Sequence, residues 1–251
     1  MRVVAVDWSG RHVGAARHIW LAEVRDGVLI RLETDRDRAA LGDELVRTAQ
    51  ADPGLVVGMD FAFSFPLWFL DARGMETGMD LQAVRAEAWL RDCPPPFWGR
   101  RSRRRGPQPQ LRLTEQELVE RLGVRPKSIF QIGGAGSVGT ASLRGLPLLA
   151  RLRAEGFAIW PFDPPNLPAV VEIYPRLFTH GTVKSSAAAR EGFLAGRRWP
   201  LEAACTEDSF DAAVSALSME PLLPRHDRDP VRRREGAIWV PGRAAGLSKR
   251  A

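Results

Sequence analysis

Two apolar runs that each end in an aspartate constrain this chain more than any other feature. MRVVAVDWSG carries the β-branched run Met1 to Val6 into Asp7, followed by Trp8, Ser9 and Gly10. LVVGMDFAFSFP repeats the pattern, with Leu55 to Met59 leading into Asp60. Short β-branched runs have the composition of buried strands. A carboxylate at the point where such a strand stops is costly unless it is paired, solvated or bound to a metal. In open α/β sheets, the ends of strands are also where ligands sit. A third run, AVVEIYP, holds Glu172 within the strand itself.

Between these runs the pattern alternates between strand and helix. Ala15 to Val24 reads as a second strand, Asp26-Gly27 as a turn and Val28 to Thr34 as a third strand, which together make a hairpin. Residues 35–50 read as a helix with an apolar stripe of Ala39, Leu41, Leu45, Val46 and Ala49, stopped by Asp52-Pro53-Gly54. Further helices are expected over 81–92, over 114–122 with a Thr114/Glu117 capping box, over 145–155, over part of 176–198, and over 206–219 behind Thr206. FAIWPF and GAIWVP read as short strands. The pattern reads as a mixed α/β chain. It forms one domain over 1–251, with a long insertion over 61–128 after the fourth strand.

Composition narrows the class. Hydrophobic content of 45% and charged content of 26% suit a globular enzyme. No window approaches the roughly 18 uncharged apolar residues of a membrane span. The first residues enter a strand directly, so no secretory signal and no membrane partner are expected. Cys93 and Cys205 suggest neither a disulfide framework nor a four-cysteine zinc site, and a cytoplasmic location follows as the expectation. A net charge of +6 favours an anionic partner such as nucleic acid. All but three of the 36 basic residues are arginine (the lysines are Lys127, Lys184 and Lys249), a skew that genome base composition also explains. Arg100, Arg101, Arg103, Arg104 and Arg105 follow Phe97 and Trp98 in a Pro-rich loop. Such a loop suits phosphates plus base stacking, or is simply solvated. FQIGGAGSVG lacks the Gly-Lys-Ser/Thr ending of a phosphate-binding loop and reads as a flexible turn.

The late helix supplies more acids. Phe210, Val214 and Leu217 share its apolar face, and Asp208, Asp211 and Ser215 lie on the adjoining polar one. Each acid has an ordinary alternative. Asp7 and Asp60 can cap turns, Glu172 can pair with Arg176, and Asp208 can favour the helix dipole. Taken together, clustered carboxylates point to an oxygen-ligand site for Mg²⁺ or Mn²⁺, which relieves their repulsion. His12, His18, His180 and His226 show no metal-ligand spacing, and neither Cys93 nor Ser9 has the context of a nucleophile.

The order VVAVDWSG, hairpin, VVGMDFAFSFP, SIFQIGGAGSVGTASLRGLPLL, VVEIYP, EDSFDAAVSALS and EGAIWVP resembles the family called domain of unknown function 429. That family is regarded as a predicted nuclease of the ribonuclease H-like superfamily. The resemblance spans most of the chain and is weaker over 61–128. It implies an α/β fold of the ribonuclease H-like kind, a five-stranded mixed sheet flanked by helices with an antiparallel second strand. It also implies catalytic acids at Asp7, Asp60 and Asp211, with Asp208 as a further candidate. Glu172 matches the family's glutamate and is expected as a metal ligand or its neighbour. The expected function is metal-dependent cleavage of nucleic acid, with Arg100–Arg105 and Trp98 holding the substrate strand. Two alternatives are an actin- or sugar-kinase-like phosphotransferase and a nucleic-acid-binding protein with a vestigial site.

Overall fold

A computed structural model describes residues 2–100, 103–134, 136–179, 181–219 and 227–240. The chain opens with β1 (Arg2–Asp7), whose four central residues are buried. A 3-10 turn over Ala15–His18, entered through Gly14 in the left-handed region (φ 69°), delays the second strand. β2 is therefore Trp20–Arg25, joined to β3 (Val28–Glu33) by Asp26 and Gly27. Both turn residues have positive φ, the geometry a two-residue hairpin needs. α1 (Arg38–Ala51) starts at Asp37, whose carboxylate accepts the Ala40 N–H at 2.8 Å. β4 (Val56–Met59) then leads into Asp60.

Three helices follow, α2 (Leu67–Asp71), α3 (Ala83–Asp92) and α4 (Leu113–Leu122). α4 begins one residue before Thr114, because Glu235, from far along the chain, accepts the Leu113 N–H at 2.6 Å. Glu115, rather than Glu117, turns back to accept the Arg112 N–H at 2.9 Å. α5 (Val138–Ala154) starts seven residues earlier than its apolar pattern indicates and contains Pro147. β5 (Ala158–Ile159), β6 (Ala169–Glu172), α6 (Ala187–Ala195), α7 (Glu207–Ser218) and α8 (Arg232–Glu235) complete the chain. Thr206 caps α7 as expected, its hydroxyl accepting the Ser209 N–H at 2.9 Å.

The sheet has six strands in the order β3-β2-β1-β4-β6-β5, rather than five. β1, β2 and β3 are antiparallel neighbours, and β1, β4, β6 and β5 pair in parallel. The short strand read over FAIWPF is the two-residue β5, held by Ala158 N–H to Pro168 and Trp160 N–H to Val170, both 2.9 Å. Of GAIWVP, the described residues 236–240 contribute a bridge between Ile238 and Glu172 rather than a strand.

Strand pleating sorts the side chains onto two faces. Val4, Val6, Val57 and Met59 pack with Leu41 and Leu45 of α1 and Leu146 and Leu149 of α5. Val3, Ala5, Val56 and Val171 pack with Phe210, Ala213 and Val214 of α7 on the other side. The first face extends into an aromatic cluster of Phe65, Phe69, Phe97 and Phe130, with Trp89 at its edge. The aromatic run after Asp60 therefore builds core: Phe61 stands 5.2 Å from both Trp8 and Phe63, centroid to centroid.

Candidate active site

Register places the acids. β1, β4 and β6 run parallel with Val6 beside Met59 and Met59 beside Glu172. Asp7 and Asp60 are the next residues along, so they share a row at the carboxyl edge of the sheet. Asp60 N–H donates to the Val6 carbonyl at 3.1 Å and keeps the two ends together. Alternation turns Val6 and Met59 toward α1 and α5, and so turns Asp7 and Asp60 toward α7. There α7 presents Asp211, 6% exposed. Two glycines permit the loops to close: a Cβ on Gly10 would meet the Ala141 backbone nitrogen at 2.5 Å, and one on Gly145 the Phe61 ring at 2.5 Å.

Glu172 stands one residue short of that row and belongs to the other face. Its carboxylate receives both terminal nitrogens of Arg112, with Nη1 at 2.8 Å from Oε2, and the Phe63 N–H at 2.9 Å. Arg112 is fully buried and also binds Glu115 at 2.9 Å and the Glu235 carbonyl at 3.0 Å. Glu172 pairs with Arg112 rather than Arg176, and the pair anchors the segment around α8 to the sheet.

Electrostatics separate the cluster from ordinary surface acids. Burial pushes the Asp7 carboxyl well above the usual carboxylate range, and Asp60, Asp211 and Asp208 push it further against Lys184. Asp60 is pushed up to about 8, by burial first and then by Asp211. Asp211 is raised by burial, with Lys184 opposing. Burial lowers the Lys184 ammonium, but Asp211, Asp60 and Asp7 outweigh it and hold it above its ordinary value. Lys184 binds Asp211 Oδ2, and Asp211 Oδ1 is buried with no hydrogen-bond partner. Asp208, one turn earlier, instead faces His18, with Nδ1 at 3.2 Å from Oδ2.

Asp7, Asp60, Asp208 and Asp211, with the arginine-bound Glu172 and Glu115, line one cleft of about 850 Å³ whose walls also carry Arg11, Arg100, Lys127, Arg144, Arg176 and Lys184. The floor is acidic and the rim basic. Among the described residues, no group of three or more His, Cys, Asp or Glu side chains is placed to hold a metal ion as it stands. The donor set nevertheless suits a hard divalent cation: carboxylates that repel one another, one of them with an unused buried oxygen.

Of the arginine run, Arg100 lines this cleft, anchored through Nε to the Ile132 carbonyl at 2.7 Å. Arg103 and Arg104 are exposed. Arg105 faces a separate pocket of about 400 Å³ with Glu120 and Arg125, and Arg101 lies outside the described residues. Trp98 is half-buried against the aromatic core, its indole N–H donating to Gln110 at 2.9 Å. It does not line the cleft.

Sequence reasoning passed over Lys184, Lys127, His18 and Arg112. A usable sign existed for the lysines: in a chain where lysine is so scarce, both described lysines face the cleft. Comparison with known protein families, curated proteins and solved structures finds no match to this chain. The likeness to domain of unknown function 429 therefore rests on the sequence motifs alone. No described helix is long and apolar enough to cross a membrane.

Proposed function

We propose that this protein is a metal-dependent nuclease or related phosphodiesterase of the ribonuclease H-like kind, with Asp7, Asp60 and Asp211 as the residues that hold Mg²⁺ or Mn²⁺. One observation carries the reading: three acids from separate elements line one basic-rimmed cleft, with a buried oxygen of Asp211 unpartnered. The antiparallel second strand agrees with the motif likeness. When bound, the ion supplies an activated water and neutralises charge at the phosphorus. Asp7, Asp60 and Asp211 would hold the ion at the carboxyl edge of the sheet, and the phosphate would reach them only with that ion bound. Arg100, Lys127 and Arg176 bind the flanking backbone as cations without reading sequence. Glu172 keeps the acid row in place from behind through Arg112.

The cleft volume supports a narrower substrate class. About 850 Å³ falls in the roughly 300–1,000 Å³ range of small-ligand pockets. A single-stranded segment or nucleotide-sized unit fits such a space, whereas a duplex remains outside it. The test is cleavage of labelled single- and double-stranded DNA and RNA, and of a chromogenic phosphodiester, with Mg²⁺, Mn²⁺ or EDTA. Metal-dependent products that vanish in Asp7→Asn support the proposal. Phosphoryl transfer from ATP without cleavage would favour a phosphotransferase. Salt-sensitive nucleic-acid binding with no metal effect would leave a binding protein.

A further inference from the structure

We infer that Lys184 is a resident cation of the Asp7–Asp60–Asp211 centre, so that the centre takes one divalent ion rather than two. The inference rests on reading that centre as a metal site. Charge balance is the first argument. Once an ion has displaced the protons that burial keeps on Asp7 and Asp60, three carboxylates facing one ammonium leave two negative charges, which a single divalent ion cancels. Two ions would leave the centre positive, and an ammonium in contact with a ligand oxygen opposes the second.

The second argument is that Lys184 is built into the site. Its carbonyl accepts from the Arg190 guanidinium, which is itself buried and bonded through Nε to the Ala204 carbonyl at 2.8 Å. The backbone that carries Lys184 is thereby tied to α6, and its side chain reaches Asp211 from across the cleft. Only Oδ2 of Asp211 is engaged; Oδ1 is buried and has no partner. One carboxylate thus offers one oxygen to the ammonium and keeps the other for an ion.

The third argument is a shortage of acids. A two-ion centre needs further carboxylates to share. Glu172, the nearby buried candidate, has both oxygens on Arg112, and Asp208, with Oδ2 facing His18, stands 38% exposed at the cleft wall rather than among the buried acids. Among the described residues lining the cleft, the remaining acid is Glu115, which is committed to Arg112.

The experiment is Mn²⁺ titration of the full chain by calorimetry, with paramagnetic resonance on the loaded samples. Wild type binds one equivalent. Lys184→Met binds Mn²⁺ about tenfold tighter or takes a second, spin-coupled equivalent, and Lys184→Arg stays within about threefold of wild type. In EDTA, Lys184→Met melts below wild type, and saturating Mn²⁺ closes the gap; a lysine with a purely structural role would leave the gap open. Two equivalents in wild type, or unchanged or weaker binding in Lys184→Met, overturns the inference while the metal site stands. No Mn²⁺ binding by wild type overturns the metal site itself, and this inference with it.

Discussion

Replacing Arg112 by methionine removes the one cation of a fully buried network. Its guanidinium meets Glu172 with both terminal nitrogens, Glu115 at 2.9 Å and the Glu235 carbonyl at 3.0 Å. Methionine fills much of the volume but leaves Glu172 and Glu115 buried together, and Glu172 already pushes the Glu115 carboxyl up beyond the effect of burial. Breaking a buried ion pair from one side costs about 3–5 kcal/mol, because the partner charge is stranded. Against a total stability of about 5–15 kcal/mol that loss is large. For a chain of this length it corresponds to a fall in Tm of about 6–20 °C. Urea unfolding followed by circular dichroism measures it directly. The companion variant Glu172→Gln keeps an acceptor for the Phe63 N–H while removing one stranded charge. The double variant should therefore recover about half the loss, with a coupling of about 1–3 kcal/mol. A Tm drop below about 3 °C, or strict additivity in the double variant, would refute the claim that this network holds Glu172 in place.

Three further outcomes are expected. In metal-free protein the Asp60 carboxyl sits at about 8 against an ordinary 3.8, so the folded state keeps a proton that the unfolded state has released. Stability should be full below about pH 4 and fall as pH rises through about 8, a fall that Asp60→Asn or saturating Mg²⁺ removes; a urea midpoint that rises between about pH 5 and 9 sinks the idea. Gly10→Ala would press a Cβ to 2.5 Å from the Ala141 nitrogen, so denaturant unfolding should show a loss of about 1–3 kcal/mol; no loss would mean the loop has room to move. Lys127→Ala should weaken single-strand binding several-fold and reduce the salt slope by about 0.7, whereas Arg104→Ala, outside the cleft, should change it less; equal effects would remove the cleft from the binding path.

The hairpin, α1, β4 and α7 were legible because each is specified locally, by a turn, a cap or a periodic stripe. Asp7 and Asp60 were legible for the same reason: an acid ending a buried strand is visible within ten residues. α4 was misplaced by a residue because its cap comes from Glu235, more than a hundred residues away, and no local pattern reports that. The start of α5 was missed because GSVGTAS lacks an apolar stripe, and its glycines serve tertiary structure: Gly136 takes a left-handed backbone, and a Cβ on Gly139 would collide with the Ile129 carbonyl.

Glu172 shows how fine the limit is. From sequence it differed from Asp7 and Asp60 only in lying within its apolar run rather than at the end of it. Yet register sets it beside Met59, and pleating then turns it away from the face that Asp7 and Asp60 share. A shift of one residue decides whether a carboxylate at the cleft wall stands free or is spent on a buried arginine. That shift depends on strand pairing, which a single chain's pattern does not reveal. The same dependence hid Arg112, one arginine among many until the fold surrounds it with acids. It hid Lys184 as well, whose contact with Asp211 spans 27 residues and two elements. Motifs located the acids, and tertiary register decided which of them could act together and which cation would face them.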